Sequence, residues 1–143
     1  MPDGEPLRFR VDARLVHATL MNAWVPKFGL SWIWVVDDEV AADPRRRHIY
    51  EMSAMDAADV RFFRCAQLLE ALINPPRGAG IVVFARMQDA LHVVGLGLSM
   101  HRLVLGNVPR VDDSTELYPS VHLSAEHDAL ITSLRRLGVE VVA

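Results

Sequence analysis

Short apolar runs alternate with helical patterns along most of the chain. The run 32–36 is continuously apolar and ends at an acidic triplet, as is typical of a strand buried on both faces. This alternation predicts an α/β fold with an open, mostly parallel sheet, right-handed crossovers and helices on both faces. The other predicted strands are 7–11, 60–63, 81–84, 102–105, 120–123 and 139–142.

The helices are predicted from apolar spacing and from capping residues. Residues 15–28 carry apolar positions at intervals of three and four, with Asp12 as the candidate N-cap. Asp43 and Pro44 open another helix as its N-cap and first residue, and its predicted inward-facing stripe is Ile49, Met52 and Met55. Further helices are expected at 66–73 and 87–96, and from the Ser124 cap to Gly138.

Length and composition indicate one globular domain, spanning residues 1–143. Hydrophobic residues make up 51% of the 143 residues and charged ones 23%, and the net charge of −3 gives no reason to expect a nucleic-acid partner. No run has the length of a membrane span and the N-terminus lacks a signal pattern, so a cytoplasmic location is expected. Cys65 is alone, which excludes an internal disulfide and predicts a small buried residue. We expect no metal and no cofactor.

Polar residues follow several of the predicted strands. Because ligands of open parallel sheets bind beyond the carboxyl ends of the strands, these residues mark the expected site edge. A strand order of 3-2-1-4-5 would bring Arg86, which follows the fourth strand, opposite Arg14 and His17.

His17 is the strongest candidate for chemistry because of its position. It follows a strand and a tight loop, beside the first turn of a predicted helix, where free N–H groups and the helix dipole favour an anion. Arg10 and Arg14 add two nearby cations. Imidazole is largely neutral and nucleophilic near pH 7, so this arrangement suits a phosphoryl group carried on His17.

Other types of site are less well supported. The acidic triplet 37–39 resembles part of a response-regulator receiver, which has its acidic pair after the first strand and a lysine after the fifth. Here the triplet follows the second strand, and the only lysine, Lys27, lies near the end of the first helix. No phosphate-binding glycine loop is present. His48 adjoins the arginines of 45–47, which form either a solvated face or a docking patch for an acidic partner. Four histidines lack ligand spacing: His92, His101, His122 and His127.

The segment 10–17 resembles the Arg-Ile-Asp-Asp-Arg-Leu-Ile-His segment of IIB components of the mannose/fructose/sorbose family of sugar phosphotransferase systems. Further similarity follows in the same order over nearly the whole chain, from about Arg8 to Val142. The matching stretches are 24–25, 35–45, 83–84, 89–91, 105–107 and 120–124.

This resemblance implies a parallel sheet with an antiparallel addition from the C-terminal strands. It also implies a protein-Nπ-phosphohistidine–sugar phosphotransferase component, in which His17 accepts phosphate from a IIA partner. The phosphate then passes to a sugar carried by membrane IIC and IID partners. We expect Arg14 to neutralise the phosphoryl oxygens, Asp12 to hold the loop as N-cap, and Arg86 to close the site. The sugar, the phosphorylated nitrogen and homo-oligomerisation stay open.

Two departures from the family pattern lie beside the histidine. Ala13 replaces the second aspartate of the family segment, and Ala18-Thr19 replaces its Gly-Gln. Ala18 stiffens a place where glycine would let the backbone approach a ligand. An alternative function is therefore a diverged regulatory phosphoprotein of the same fold that does not transport sugar.

Overall fold

A computed structural model describes residues 5–143. Most of the β-structure belongs to one six-stranded sheet, and every strand pair in it is parallel. The predicted α/β fold is therefore confirmed. The strands of this sheet are β1 (Leu7–Asp12), β2 (Leu30–Val36), β3 (Asp59–Phe63), β4 (Ala79–Phe84), β5 (Arg102–Asn107) and β8 (Glu140–Val142).

The strand order is β3-β2-β4-β1-β5-β8, so the expected order 3-2-1-4-5 is wrong. Strand β4 lies between β2 and β1, because the crossover that leaves β1 passes over one position before it reaches β2. Right-handed crossovers permit both orders, and a sequence pattern does not reveal how many positions a crossover skips. Val11 of β1 is level with Phe84 of β4 and Leu105 of β5, so these three strands end together.

Helices cover both faces of the sheet. The described helices are a π-helical turn (Leu20–Trp24) that runs into α1 (Val25–Phe28), then α2 (Asp38–Ala41), α3 (Pro44–Ala54), α4 (Cys65–Ala71), α5 (Met87–Gly95) and α6 (Ala125–Arg136). One apolar core joins a sheet face to α4, α5 and α6, and the other joins the opposite face to the first three helices. None of the helices in residues 5–143 is both long and apolar enough to cross a membrane.

Helix α3 has the predicted start but not the predicted orientation. The Asp43 carboxylate accepts hydrogen bonds from the N–H groups of Arg45 and Arg46, which confirms it as the N-cap. The expected inward-facing stripe is wrong, because the three apolar side chains are exposed and Ala54 is the buried residue of the helix. The three residues do share one face of the helix, but that face points to solvent. The face that packs on the sheet carries the small Ala54 and Tyr50, whose ring contacts Phe62. The exposed residues are Ile49, Met52 and Met55.

The C-terminal region confirms the expected antiparallel addition and adds one strand. Strand β7 (Val121–Leu123) pairs in antiparallel fashion with β6 (Thr115–Tyr118), which the sequence pattern did not predict. All four residues of β6 are exposed, so no apolar alternation marks it. The last strand, β8, joins the edge of the main sheet parallel to β5.

Candidate functional site

The loop after β1 is a tight and well-anchored turn. The Leu15 N–H donates to the Asp12 carbonyl at 3.0 Å, and the Ala13 N–H donates to the Asn107 carbonyl at the end of β5 at 3.2 Å. Leu15 is buried and has φ of +59°, a conformation that is costly for a branched residue. Burial of its side chain and these two backbone hydrogen bonds hold the turn in this conformation.

His17 lies directly before the first helical turn, as predicted. Its carbonyl accepts the Met21 N–H at 3.0 Å, and residues 18 and 19 are already helical. Asp12, however, is not the N-cap: it is the last residue of β1, and its side chain makes no capping bond to this helix. The four-residue turn separates it from the helix and directs its carboxylate to the side chains of the loop.

The Asp12 carboxylate is fully buried and is the centre of the site. Its Oδ2 atom lies 2.7 Å from Nε2 of His17 and accepts bonds from Nε (3.2 Å) and Nη2 (3.1 Å) of Arg10. Its Oδ1 atom accepts the backbone N–H of Arg14 at 3.0 Å and that residue's Nε at 3.1 Å, while Arg14 Nη2 reaches Oδ2 at 3.1 Å. One carboxylate thus positions all three side chains.

These contacts determine the tautomer of His17. Burial alone would raise the pKa of Asp12, but hydrogen bonds from His17 and Arg14 outweigh it and hold that pKa well below its ordinary value. An ionised carboxylate only accepts hydrogen bonds, so Nε2 of His17 is the nitrogen that carries the proton. In the neutral ring the lone pair is therefore on Nδ1. Within residues 5–143, no hydrogen bond to Nδ1 is found. An unbonded nitrogen is either buried or in contact with solvent, and Nδ1 is not one of the buried atoms. Solvent can therefore reach it.

Arg14 lies at the rim of this cluster. Its side chain is 41% exposed, in contrast to the fully buried carboxylate that holds it. The guanidinium is fixed at one edge by Asp12, and the planar fork has further N–H groups for a bidentate anion. The structure brings Arg14 and His17 close together, as the sequence predicted. It also shows that one carboxylate, Asp12, binds both side chains, which the sequence did not predict.

Arg86 reaches the same sheet edge but has a different partner. It follows β4, and its Nη2 donates to Oδ1 of Asp89 at 3.0 Å; this contact raises the pKa of Arg86. Arg86 also lines a cavity of about 240 Å³ with Ala13 and Leu15 of the turn. Within residues 5–143, no hydrogen bond or ion pair joins it to Arg14 or His17. Closing the site would require Arg86 to leave Asp89.

Sequence reasoning noted Arg10 as a nearby cation but did not include it among the binding residues. In the structure Arg10 is buried beneath the site, and its side chain lies on the same face of β1 as that of Asp12. The i, i+2 spacing of the two residues on one strand was the available signal, since it places them on one face of the sheet.

The other candidates have structural roles. Asp37 caps α2 by accepting the Val40 N–H, and Asp38 accepts the Cys65 N–H at 2.8 Å. Cys65 is buried, as predicted, and this burial raises the pKa of its thiol to about 12. Within residues 5–143, no group of three or more histidine, cysteine or acidic side chains could hold a metal ion.

The family model of the PTS system sorbose subfamily IIB component matches residues 7–143. The chain therefore belongs to this family of phosphotransferase-system IIB components, which take part in phosphoryl transfer during sugar uptake.

Three relatives illustrate the range of the family. The N-acetylgalactosamine-specific phosphotransferase enzyme IIB component 2 of Escherichia coli (strain K12) is 26% identical over 132 residues, covering 92% of this chain and 84% of the relative. The sorbose-specific EIIB component of Lacticaseibacillus casei is 26% identical over 135 residues, covering 92% and 82%. The mannose-specific EIIAB component of E. coli K12 is 24% identical over 135 residues, and the match spans 92% of this chain but 42% of that protein.

Solved structures agree with this fold. The N-acetylgalactosamine-specific IIB component 1 from E. coli superposes with a TM-score of 0.88 at 21% identity, covering 98% of this chain and 93% of the other. The IIBSor domain of the sorbose permease from Klebsiella pneumoniae gives 0.84 at 21% identity, covering 96% and 86%. At these identities the likeness establishes the fold.

Proposed function

We propose that this protein carries a phosphoryl group on Nδ1 of His17. It accepts the group from a phosphohistidine of a IIA partner and passes it to a sugar during uptake, together with membrane IIC and IID partners. The observation that carries the proposal is the 2.7 Å contact between Nε2 of His17 and the ionised Asp12, which leaves a reachable lone pair on Nδ1. In this role the protein acts in the cytoplasm.

In the first step, the Nδ1 lone pair attacks the phosphorus atom of the donor phosphohistidine. A new N–P bond forms on His17 while the donor N–P bond breaks, and its electron pair returns to the donor imidazole. The His17 ring gains positive charge as its lone pair is used. The proton on Nε2 stays hydrogen-bonded to Asp12, whose carboxylate stabilises that charge as the aspartate of a catalytic triad does.

The neighbouring arginines balance the charge of the phosphoryl group. With neutral His17, the cluster contains one negative charge on Asp12 and two positive charges on Arg10 and Arg14, a formal net charge of +1. A phosphoryl group brings about −1.5 to −2. Arg14 is the cation at the rim, so we assign it to the phosphoryl oxygens. Arg86 would join it after exchanging Asp89 for the incoming anion.

In the second step, a sugar hydroxyl oxygen forms an O–P bond and the N–P bond on His17 breaks. The electron pair of that bond returns to Nδ1, and the hydroxyl proton leaves to a base of the acceptor site. Both steps depend mainly on positioning and charge stabilisation; the anchored turn supplies the first, and the arginines supply the second.

A regulatory phosphoprotein is the second candidate function, favoured by one observation. Ala13, Ala18 and Thr19 differ from the family pattern, and Ala18 and Thr19 are exposed next to the histidine. Acceptance of phosphate needs only His17 and its balancing cations. Delivery also needs this flank to fit a membrane partner, so a change there affects delivery first.

The test follows phosphate from phosphoenolpyruvate through the general phosphotransferase proteins and a IIA domain. The wild type should acquire acid-labile, base-stable phosphate and lose it to sugar when IIC and IID membranes are added. His17→Ala should stay unlabelled. His101→Ala, which removes an exposed histidine elsewhere, should label like the wild type. Undiminished label in His17→Ala would contradict the proposal, and label that never passes to sugar would favour the regulatory alternative.

A further inference from the structure

Arg10 is a buried cation in the middle of the sheet. Its side chain is 6% exposed, and both its Nε and its Nη2 bind a single oxygen, Oδ2 of Asp12. Burial lowers the pKa of Arg10, and the neighbouring carboxylate opposes that effect. Such a buried pair seldom adds net stability compared with an apolar pair of similar size, so its presence calls for another explanation.

Two neighbours form a slot for the Arg10 guanidinium. The ring of Trp24 lies 4.4 Å from Cζ of Arg10, in the geometry of a cation–π contact. On β5, a Cβ atom added at Gly106 would lie 2.2 Å from the same Cζ. The backbone of Gly106 is not in the left-handed region, so its conformation does not demand glycine. Glycine weakens a strand, and here its only evident use is to make room for the guanidinium.

The oxygen that Arg10 binds is also the oxygen that accepts the proton of His17. If Asp12 faced His17 with its full negative charge, it would favour the protonated imidazolium, in which Nδ1 has no lone pair to attack with. The groups that bear on this balance within residues 5–143 are Asp12, Arg10 and Arg14, since these contact His17 or its carboxylate partner. Of the two arginines, Arg10 is the one shielded from solvent, with a side chain 6% exposed against 41% for Arg14.

We infer that Arg10 is a positioning residue, held in its slot by Trp24 and Gly106, which offsets the Asp12 charge and so keeps His17 neutral and nucleophilic near neutral pH. This inference rests on the proposed function of His17. It assigns Arg10 no contact with phosphate: Arg10 acts through Asp12. Its removal should therefore change the pH at which His17 reacts more than it changes the fully developed rate.

The experiment measures the rate of labelling of His17 by phosphoramidate, a small donor with a P–N bond that needs no partner domain. Rates are taken at several pH values, and the ratio of variant to wild type cancels the titration of the donor itself. Arg10→Met should shift the rise of the rate to higher pH by about one unit, with a rate close to that of the wild type at the alkaline end. The sign follows because loss of a cation stabilises the imidazolium.

Two further variants separate charge from packing. Arg10→Lys keeps the charge, so its pH profile should lie close to that of the wild type. A small shift should remain, because a single ammonium cannot reproduce the two-nitrogen contact. Gly106→Ala keeps the arginine but fills its slot, and should shift the profile in the same direction by less. Arg8→Met is the matched control, because Arg8 lies on the same face of β1 and its guanidinium stacks on Phe28 at 3.8 Å. Its profile should coincide with that of the wild type.

The outcomes are distinct. A wild type that phosphoramidate does not label at His17 would contradict the proposed function itself. A labelled wild type with an unshifted profile in Arg10→Met, or with a profile in Arg10→Lys shifted as far as that of Arg10→Met, would show that the charge of Arg10 does not act on His17, whatever the loss of rate or thermal stability. An equal shift in Arg8→Met would show that any cation on this strand face acts in the same way, and would also overturn the inference.

Discussion

The Asp12→Asn replacement removes one buried charge and keeps the shape of the side chain. In the wild type, this carboxylate fixes the proton of His17 on Nε2. An asparagine can present either its oxygen or its NH2 group to the ring. When the NH2 group faces Nε2, the proton of the neutral ring moves to Nδ1, and the proposed nucleophile is lost.

Two magnitudes follow from the geometry. The same type of replacement behind a triad histidine costs about 10⁴ in rate, so we expect a loss of roughly 10² to 10⁴ in phosphorylation of His17. For stability, Arg10 is left buried without its charge partner, which costs about 3–5 kcal/mol. The exposed contact of Arg14 adds at most about 1 kcal/mol.

The stability difference also has a defined pH dependence. Since hydrogen bonds hold the pKa of Asp12 below that of the unfolded chain, its contribution is complete above the unfolded value of about 4 and fades as pH falls toward the folded value. Denaturant unfolding of the wild type and Asp12→Asn should therefore differ by a constant amount from neutral pH down to about pH 5. The difference should narrow only in stronger acid.

Asp37→Asn is the matched control for this experiment. Asp37 is also a buried carboxylate at the same sheet edge, but it caps α2, and asparagine caps helices equally well. Its labelling rate and stability should stay near those of the wild type. Folded Asp12→Asn that labels within threefold of the wild-type rate would refute the argument that this carboxylate selects the reactive nitrogen.

Three further predictions concern neighbouring residues. Arg14→Ala should slow phosphotransfer roughly tenfold or more, because charge-assisted contacts are worth about 1.5–3 kcal/mol, and Arg14→Lys should recover only part of the rate, because lysine lacks the planar fork. A wild-type rate in Arg14→Ala would show that Arg14 is a structural surface residue. The triple replacement Ala13→Asp, Ala18→Gly and Thr19→Gln should raise delivery to sugar more than acceptance from IIA, measured with the same IIA and membranes; equal and efficient sugar phosphorylation by both proteins would show that the departures are neutral. Cys65 should react slowly with a thiol reagent at about pH 8 until the protein unfolds, since burial raises the pKa of its thiol to about 12; fast reaction of the folded protein would contradict its burial.

Local patterns predicted much of the architecture and the position of His17. The apolar run of β2, the Asp43 cap and the Ser124 cap of α6 all express short-range preferences, and the structure confirms each of them. His17 was found because a strand, a turn and a helix follow one another within a few residues. Such a sequence of elements brings a turn residue to the carboxyl edge of the sheet under several strand orders.

Features that depend on distant residues were not predicted. The place of β4 between β1 and β2 depends on how far a crossover reaches, and the orientation of α3 on how its residues meet β3. Asp12 resembled a helix cap because it precedes an apolar run, yet its partners are side chains of the strand and the turn. The Arg10 slot joins β1 to Trp24 and to Gly106, a residue far along the chain whose role no local pattern indicates.

The most direct test of the account is to identify the phosphorylated nitrogen. The protein is labelled with ¹⁵N in its histidine rings, phosphorylated by a IIA domain, and examined by NMR for coupling between phosphorus and the ring nitrogens. We predict one phosphohistidine, at His17, with phosphorus on Nδ1 and the proton retained on Nε2 beside Asp12. Phosphorus on Nε2 of His17, or on any other residue, would contradict the central claim.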